Sequence, residues 1–199
     1  MVLAYICITL TVAYAVGSIP TALIVSKKIK HTDIRTIGDG NMGAHNTFHM
    51  VGPKFGVMVA AIDITKGVIP VVLAGILGLG LGWQILVGIF AILGHDFPVW
   101  AGFRGGQGTA TSFGTMLALF PLPALISLGI YGLFYLIIRN SNVSCGICGA
   151  SIALYLGITQ QWLFFVYAVA AFLFIPLKLF IDSPRRRVIA VMRKNGIHT

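Results

Sequence analysis

Charge is scarce in this chain. Only 10% of its 199 residues are charged, and five are acidic. With 57% hydrophobic residues and a mean hydropathy of +0.93, so little charge excludes an ordinary soluble domain. Cysteine is scarce too: Cys7, Cys145 and Cys148 are the three present. Cys145-Gly146-Ile147-Cys148 has CxxC spacing, but no second pair completes a zinc site and no soluble redox fold surrounds it, which leaves small helix-packing residues. The first apolar run, residues 2–26, has no basic segment ahead of it and outlasts the h-region of a signal peptide, so it reads as a retained span. No internal repeat is visible, which gives an inverted-repeat transporter little support. No Ser-His-Asp spacing or nucleophile elbow is visible either, so no acyl-enzyme route is legible.

What the chain has is long apolar runs. Their length, about 17–25 residues, suits a hydrocarbon core roughly 30 Å thick. Only helices or closed barrels satisfy the backbone there, and the runs are too continuous for the alternation of barrel strands. Runs fall at 2–26, 55–78, 83–93, 109–138, 143–157 and 162–181. Lys27, Lys28, Lys30, Arg35 and Lys54 precede the second run, and Arg185, Arg186, Arg187, Arg193 and Lys194 follow the last. Cations mark the cytoplasmic side, so both segments belong inside. Six crossings would separate them; seven put them together. The extra break falls at Pro121 and Pro123, because proline removes a donor and stops a helix. The expectation is an all-α polytopic bundle of seven transmembrane helices, residues 1–199 forming one membrane domain, with the N-terminus outside and the C-terminus cytoplasmic. The net charge of +9 then faces anionic membrane lipids rather than nucleic acid.

Two glycine-rich segments lie on the same predicted face. The first runs Gly38-Asp39-Gly40-Asn41-Met42-Gly43-Ala44-His45-Asn46. The second holds Gly94-His95-Asp96-Phe97-Pro98 and Gly102-Phe103-Arg104-Gly105-Gly106-Gln107-Gly108-Thr109. Glycine at this density lets backbone N–H groups turn toward one point and nest an anion. Gly108-Thr109 leads straight into a helix, whose N-terminus favours phosphate, and Arg104 adds a guanidinium. Asp63 and Lys66, spaced i and i+3, share a helical face inside a span, where a structural ion pair is expected. His45, His49 and His95 lie in or near the loops; each is a candidate base or a plain hydrogen-bonding residue, with His95 best placed.

These segments, in this order, resemble the bacterial acyl-phosphate:glycerol-3-phosphate acyltransferase family. The resemblance rests on Gly17-Ser18-Ile19-Pro20, Asp33-Ile34-Arg35, Gly38 to Asn46, Asp63-Ile64-Thr65-Lys66-Gly67, Gly94-His95 with Phe97-Pro98-Val99, Gly102 to Thr111, and Val143-Ser144. It covers nearly the whole chain. It implies a seven-helix enzyme of the bacterial inner membrane, with its active site facing the cytoplasm. Such an enzyme moves an acyl group from acyl phosphate to the 1-hydroxyl of glycerol 3-phosphate, giving lysophosphatidate, with no cofactor, no metal and no covalent intermediate. Carried onto this chain, it makes Asn41, Asn46, His95 and Arg104 candidate catalytic residues. Asp39, Gly40, Gly43, His45, His49, Gly105, Gly106, Gln107, Gly108, Thr109, Ser144 and Arg185 become candidate substrate-binding residues.

The chain also departs from that pattern. Asp39 stands where the family has serine, His45 replaces a threonine and His49 an arginine. Gln107 replaces a lysine, and the tail reads Ser183-Pro184-Arg185-Arg186-Arg187. An anion is gained and cations are lost where phosphate is to be held. Either Arg104 and the arginine-rich tail compensate, with protonated His45 and His49 adding charge under the influence of Asp39, or the chain is a paralogue with another acceptor or donor. A non-catalytic lipid-binding or transport protein is the reading from another class.

Overall fold

Residues 2–194 are described by a computed structural model, and among them the chain is helical throughout. The helices are α1 (Val2–Gly17), α2 (Thr21–Lys30), α3 (Ala44–Met50), α4 (Pro53–Ile76), α5 (Leu81–Asp96), α6 (Thr109–Leu119), α7 (Pro121–Ile138), α8 (Ser141–Ile158) and α9 (Trp162–Lys194), with 3-10 turns at Ile34–Thr36 and Val99–Ala101. Six stretches are long and apolar enough to cross a membrane: Leu3–Lys30, Pro53–Ile76, Leu81–Ala101, Pro121–Ile138, Ser141–Ile158 and Trp162–Pro184. Their outward faces are apolar, as at Leu3, Ile76, Leu136 and Phe180, which suits lipid. The chain is a multi-pass helical membrane protein.

Pro121 acts as its chemistry requires. The preceding Phe120 adopts φ −149° and ψ 84°, ending α6 and starting α7. α6 has only 11 residues, about 17 Å at 1.5 Å per residue, so it falls short of a hydrocarbon core roughly 30 Å thick. Two sequence boundaries need correction. The second glycine-rich segment does not begin at Gly94: the helical ladder of α5 continues, with the Phe97 N–H donating to the Leu93 carbonyl at 2.8 Å, so His95 and Asp96 are helical. Likewise His45, Asn46 and His49 sit on the short helix α3 rather than in extended loop.

Glycines let two pairs of helices touch backbone to backbone. A side chain at Gly17 of α1 would run into the Ala91 carbonyl of α5, and one at Gly94 of α5 into the Tyr14 carbonyl of α1. The same reciprocity joins α4 and α6, where Gly67 meets the Thr111 carbonyl and Gly114 the Ile64 carbonyl. Small residues at helix contacts are how membrane helices gain packing without a hydrophobic driving force. Around this frame, Ile92, Met116, Phe120, Ile152, Leu156 and Tyr167 bring α5, α6, α8 and α9 into one buried cluster. Cys145 and Cys148 are buried and unpaired, and the Cys148 thiol donates to the Ser127 carbonyl at 3.2 Å. That contact is helix packing between α7 and α8.

Candidate active site at the loop end of the bundle

Both glycine-rich segments and the end of α9 meet at one end of the bundle. Arg35 is the bolt between the first two. It grips Asp33 through Nε (3.0 and 3.2 Å) and Nη2 (2.7 Å), and its Nη1 donates to the Ala101 carbonyl at 2.8 Å. That guanidinium holds the Asp33 carboxyl below its ordinary range.

Asn46 shapes the first segment from inside. It is 3% exposed. Its amide nitrogen donates to the carbonyls of Ile34 (3.0 Å), Ile37 (3.1 Å) and Asn41 (3.0 Å), and its oxygen accepts from the Asp39 N–H at 3.2 Å. Gly38 must be glycine twice over: its φ is +63°, and a side chain there would strike the Asn46 oxygen. The polar atoms of Asn46 are thus committed to the loop.

The floor lies deeper. Lys66 Nζ donates to Asp63 Oδ1 at 2.7 Å and to the Ile19 carbonyl at 2.6 Å, with both side chains almost fully buried. His95 Nδ1 stands 3.8 Å from the same carboxylate oxygen, beyond hydrogen-bond reach. The second segment wraps His95 with backbone: the Gly105 N–H donates to the Asp96 carbonyl (3.2 Å) and the Gly106 N–H to the His95 carbonyl (3.1 Å). A side chain at Gly106 would enter the His95 ring, and one at Gly105 its carbonyl.

Between these parts opens a cavity of about 490 Å³. Asp39, Asn41, Gly43, His45, Asp63, His95, Gln107 and Thr109 line its polar part, and Phe113, Met116, Leu128 and Ile175 its apolar part. Arg139, Asn140, Ser141 and Asn142 line it from the α7–α8 junction. Two lining residues carry buried oxygens with no hydrogen-bond partner among the described residues, Asn41 Oδ1 and Ser112 Oγ. Buried polar atoms are seldom left unmatched, so these two are suited to a bound polar group.

The remaining sequence candidates stand outside the lining. Gly40, with φ +72°, and Gly105, Gly106 and Gly108 shape the backbone behind it. Lys66 sits behind Asp63. Ser144 is buried and donates to the Asn140 carbonyl at 2.9 Å, closing the first turn of α8. His49 and Arg104 are exposed, and His49 stacks edge-on with His45 at 4.6 Å. The side chains of Arg185, Arg193 and Lys194 lie outside the described residues.

One expectation about charge is overturned. Partial burial and the neighbouring His49 push the His45 pKa down, and the opposing pull of Asp39 is the weakest of the three, so His45 is a neutral imidazole near neutral pH. Asp39 is itself engaged elsewhere. Its carboxylate accepts from Arg186 Nη2 at 2.6 Å and its carbonyl from Arg186 Nε at 3.0 Å. α9 delivers that side chain. Two turns earlier Lys178 pairs with Asp182 at 3.1 Å and lies 4.8 Å over the Phe97 ring, which seats the face carrying Arg186 against the end of α5. No local sequence signal points to this contact, since 147 residues separate the partners.

A polytopic helical membrane protein whose cavity is polar at the loop end and apolar between the helices is the class these observations define. Comparison supplies the family. Residues 7–182 match the glycerol-3-phosphate acyltransferase family model, and the chain belongs to that family. It is 36% identical to glycerol-3-phosphate acyltransferase 2 of Dehalococcoides mccartyi over 94% of both chains. It is 46% identical over 124 residues to acyltransferase 5 of the same species, an alignment covering 61% of this chain and 53% of that relative. In that case the chain spans about half the length of the relative it matches. The crystal structure of PlsY (YgiH), an integral membrane glycerol 3-phosphate acyltransferase, in its glycerol 3-phosphate form superposes with a TM-score of 0.82. It is 28% identical, over 98% of this chain and 94% of that one.

Proposed function

We propose that this protein transfers a fatty acyl group from acyl phosphate to the 1-hydroxyl of glycerol 3-phosphate, forming lysophosphatidate for phospholipid synthesis. The observation that carries the reading is the continuity of one cavity from Asn41, Gln107 and Thr109 to Phe113 and Met116, in a member of this family. The polar part receives the acceptor's phosphate at the N-terminus of α6, where helix N–H groups favour an anion. The apolar part takes the acyl chain from the bilayer, and Arg139 faces the donor's phosphate.

The chemistry is modest, because acyl phosphate is already an activated anhydride. The acceptor hydroxyl adds to the acyl carbonyl, the new ester C–O bond forms, the bond from acyl carbon to phosphate oxygen breaks, and inorganic phosphate departs. His95, beside Asp63, takes the hydroxyl proton. Ser112 and Asn41 offer polar contacts to the reacting centre. Proximity and placed donors carry the rate.

The same reading includes topology. Loop contacts through Arg35 and Arg186, and a cavity lined both by the start of α6 and by the α7–α8 junction, support α6 as a short outgoing arm and α7 as the returning one. That gives seven passes, with the cavity end in the cytoplasm of a bacterial inner membrane and the first residues outside. The absence of a lysine at Gln107 favours a second reading, a paralogue taking a less anionic hydroxyl acceptor. Purified protein with palmitoyl phosphate and radiolabelled glycerol 3-phosphate separates the two. Labelled lysophosphatidate at about millimolar acceptor supports the first; its absence, with ester formed in a parallel reaction on radiolabelled glycerol, supports the second.

A further inference from the structure

The family motif has serine at the position of Asp39, and a carboxylate there faces the region where a phosphate is to bind. Left alone it would repel the substrate. It is not alone: Arg186 grips both its carboxylate (2.6 Å) and its carbonyl (3.0 Å). Those two bonds use two of the five N–H donors of a guanidinium, and no other described residue engages the rest. Asp39 lines the cavity; Arg186 is outside the lining, as Arg104 is, but its two bonds to Asp39 hold it directly behind a lining residue. The second glycine-rich segment lacks a cation at Gln107, and Arg104 is not in the lining. The polar part of the cavity thus has a neutral Gln107 on one side and Asp39 with its bound Arg186 on the other.

We infer that Arg186 is a binding residue for the acceptor's phosphate, and that Asp39 is the positioning residue that aims it. The inference rests on the reading of the cavity's polar part as an acceptor-phosphate site. Arg186 sits on the last turns of α9 and reaches the first loop across 147 residues of sequence. A phosphate arriving between Asn41 and Gln107 meets the unused edge of the guanidinium and completes a carboxylate–guanidinium–phosphate bridge. Fork-shaped arginine suits such two-sided contact better than lysine does.

The test measures KM for glycerol 3-phosphate and for palmitoyl phosphate separately, with kcat, in detergent-purified full-length protein. Removing a hydrogen bond to a charged group changes affinity about tenfold or more. Arg186→Ala is expected to raise the acceptor KM by that factor and to leave the donor KM nearly unchanged. Asp39→Ser/Arg186→Ala is expected to recover part of the loss, because no unpaired carboxylate then faces the phosphate. An acceptor KM for Arg186→Ala equal to wild type overturns the inference, as does an equal rise in both KM values. Strictly independent effects in the double variant overturn the role given to Asp39. If Arg186→Ala does not fold, Arg186→Lys decides: it keeps the charge and loses the two-point grip, so a raised acceptor KM supports the inference and an unchanged one overturns it. Wild-type protein that makes no lysophosphatidate sinks the underlying acceptor reading instead, which keeps the two failures apart.

Discussion

The two glycine-rich segments reach the same cavity by opposite constructions. The first is braced by side chains: Asn46 ties four backbone groups together from within, Arg35 bolts the segment to the Val99–Ala101 turn, and Arg186 grips Asp39 from α9. The second is braced by its own backbone, which lies so close to His95 and Asp96 that Gly105 and Gly106 have no room for a Cβ. The difference sets what each tolerates. A side-chain-braced loop depends on a few irreplaceable side chains and on the glycines that make room for them, as Gly38 does for Asn46. A backbone-braced loop depends on its glycines and leaves intervening residues such as Phe103, Arg104 and Gln107 freer to vary.

The strongest way to break the comparison is Asn46→Ala. Each neutral hydrogen bond contributes about 0.5–1.5 kcal/mol net, and the amide protons of Asn46 are shared among three carbonyls, so a loss of about 2–4 kcal/mol is expected. Thermal melting in detergent checks it, and acyl transfer should fall with the melting point. Asn46→Asp, which removes the donors and adds a charge, should do no better. A variant that melts like wild type would show that the backbone, not Asn46, holds the first segment.

Gly106→Ala comes next and attacks the other construction. The added methyl meets the His95 ring, which α5 carries and which lies close to Asp63. Overpacking of this kind costs about 1–3 kcal/mol, and a displacement of about 1 Å at the reacting centre costs roughly a hundredfold in rate. The expected result is a large fall in kcat with modest change in either KM. Unchanged turnover would remove His95 from the reaction.

How much of this was readable beforehand depended on the range of the interaction. Local signals read well. Pro121 broke the run 109–138, the apolar runs marked helices, and the i, i+3 spacing of Asp63 and Lys66 gave a contact of 2.7 Å. Glycine density marked the two segments. Signals that depend on tertiary neighbours did not read. Gly94-His95 looked like loop because glycine usually punctuates, whereas here Gly94 lets α5 lie on α1. Asn46 entered as a catalytic candidate through the resemblance alone, and its bonds to four backbone groups of the loop depend on the fold. The pairing of Arg186 with Asp39 leaves no local trace, and the expectation that Asp39 would raise the His45 pKa failed because burial and His49 outweigh it.

A third, smaller effect sharpens the difference in charge. With its pKa lowered from the ordinary 6.5, His45 binds protons less readily in the folded state than in the unfolded one. The unfolded state therefore gains protons first as pH falls. The linked penalty is absent well above 6.5 and grows as pH drops through 6.5 toward the lowered folded value, so stability rises with pH across that window. Melting curves between about pH 5 and 8 should show wild type losing stability on the acid side more than His45→Gln does. A His45→Gln variant with the same acid slope as wild type would assign that slope to another group.

The smallest expected effect is the most discriminating, because it separates two arginines that look alike in sequence. Arg104 sits in the backbone-braced segment, exposed and without a hydrogen bond or ion pair among the described residues, and the cavity lining does not include it. Arg186 is pinned directly behind the lining residue Asp39 by two bonds. A pinned charge changes affinity at contact distance. A free surface charge acts mainly by raising the local concentration of an anion, and salt screens it over about 8–10 Å at physiological ionic strength. Arg104→Ala should therefore raise the acceptor KM only a few-fold at low salt, and the difference should vanish as salt rises toward about 1 M, where the screening length is roughly 3 Å. Arg186→Ala should keep most of its effect under the same titration. If the loss from Arg104→Ala is large and persists in high salt, Arg104 swings into the cavity when substrate binds, and the backbone-braced segment grips phosphate through its side chains after all.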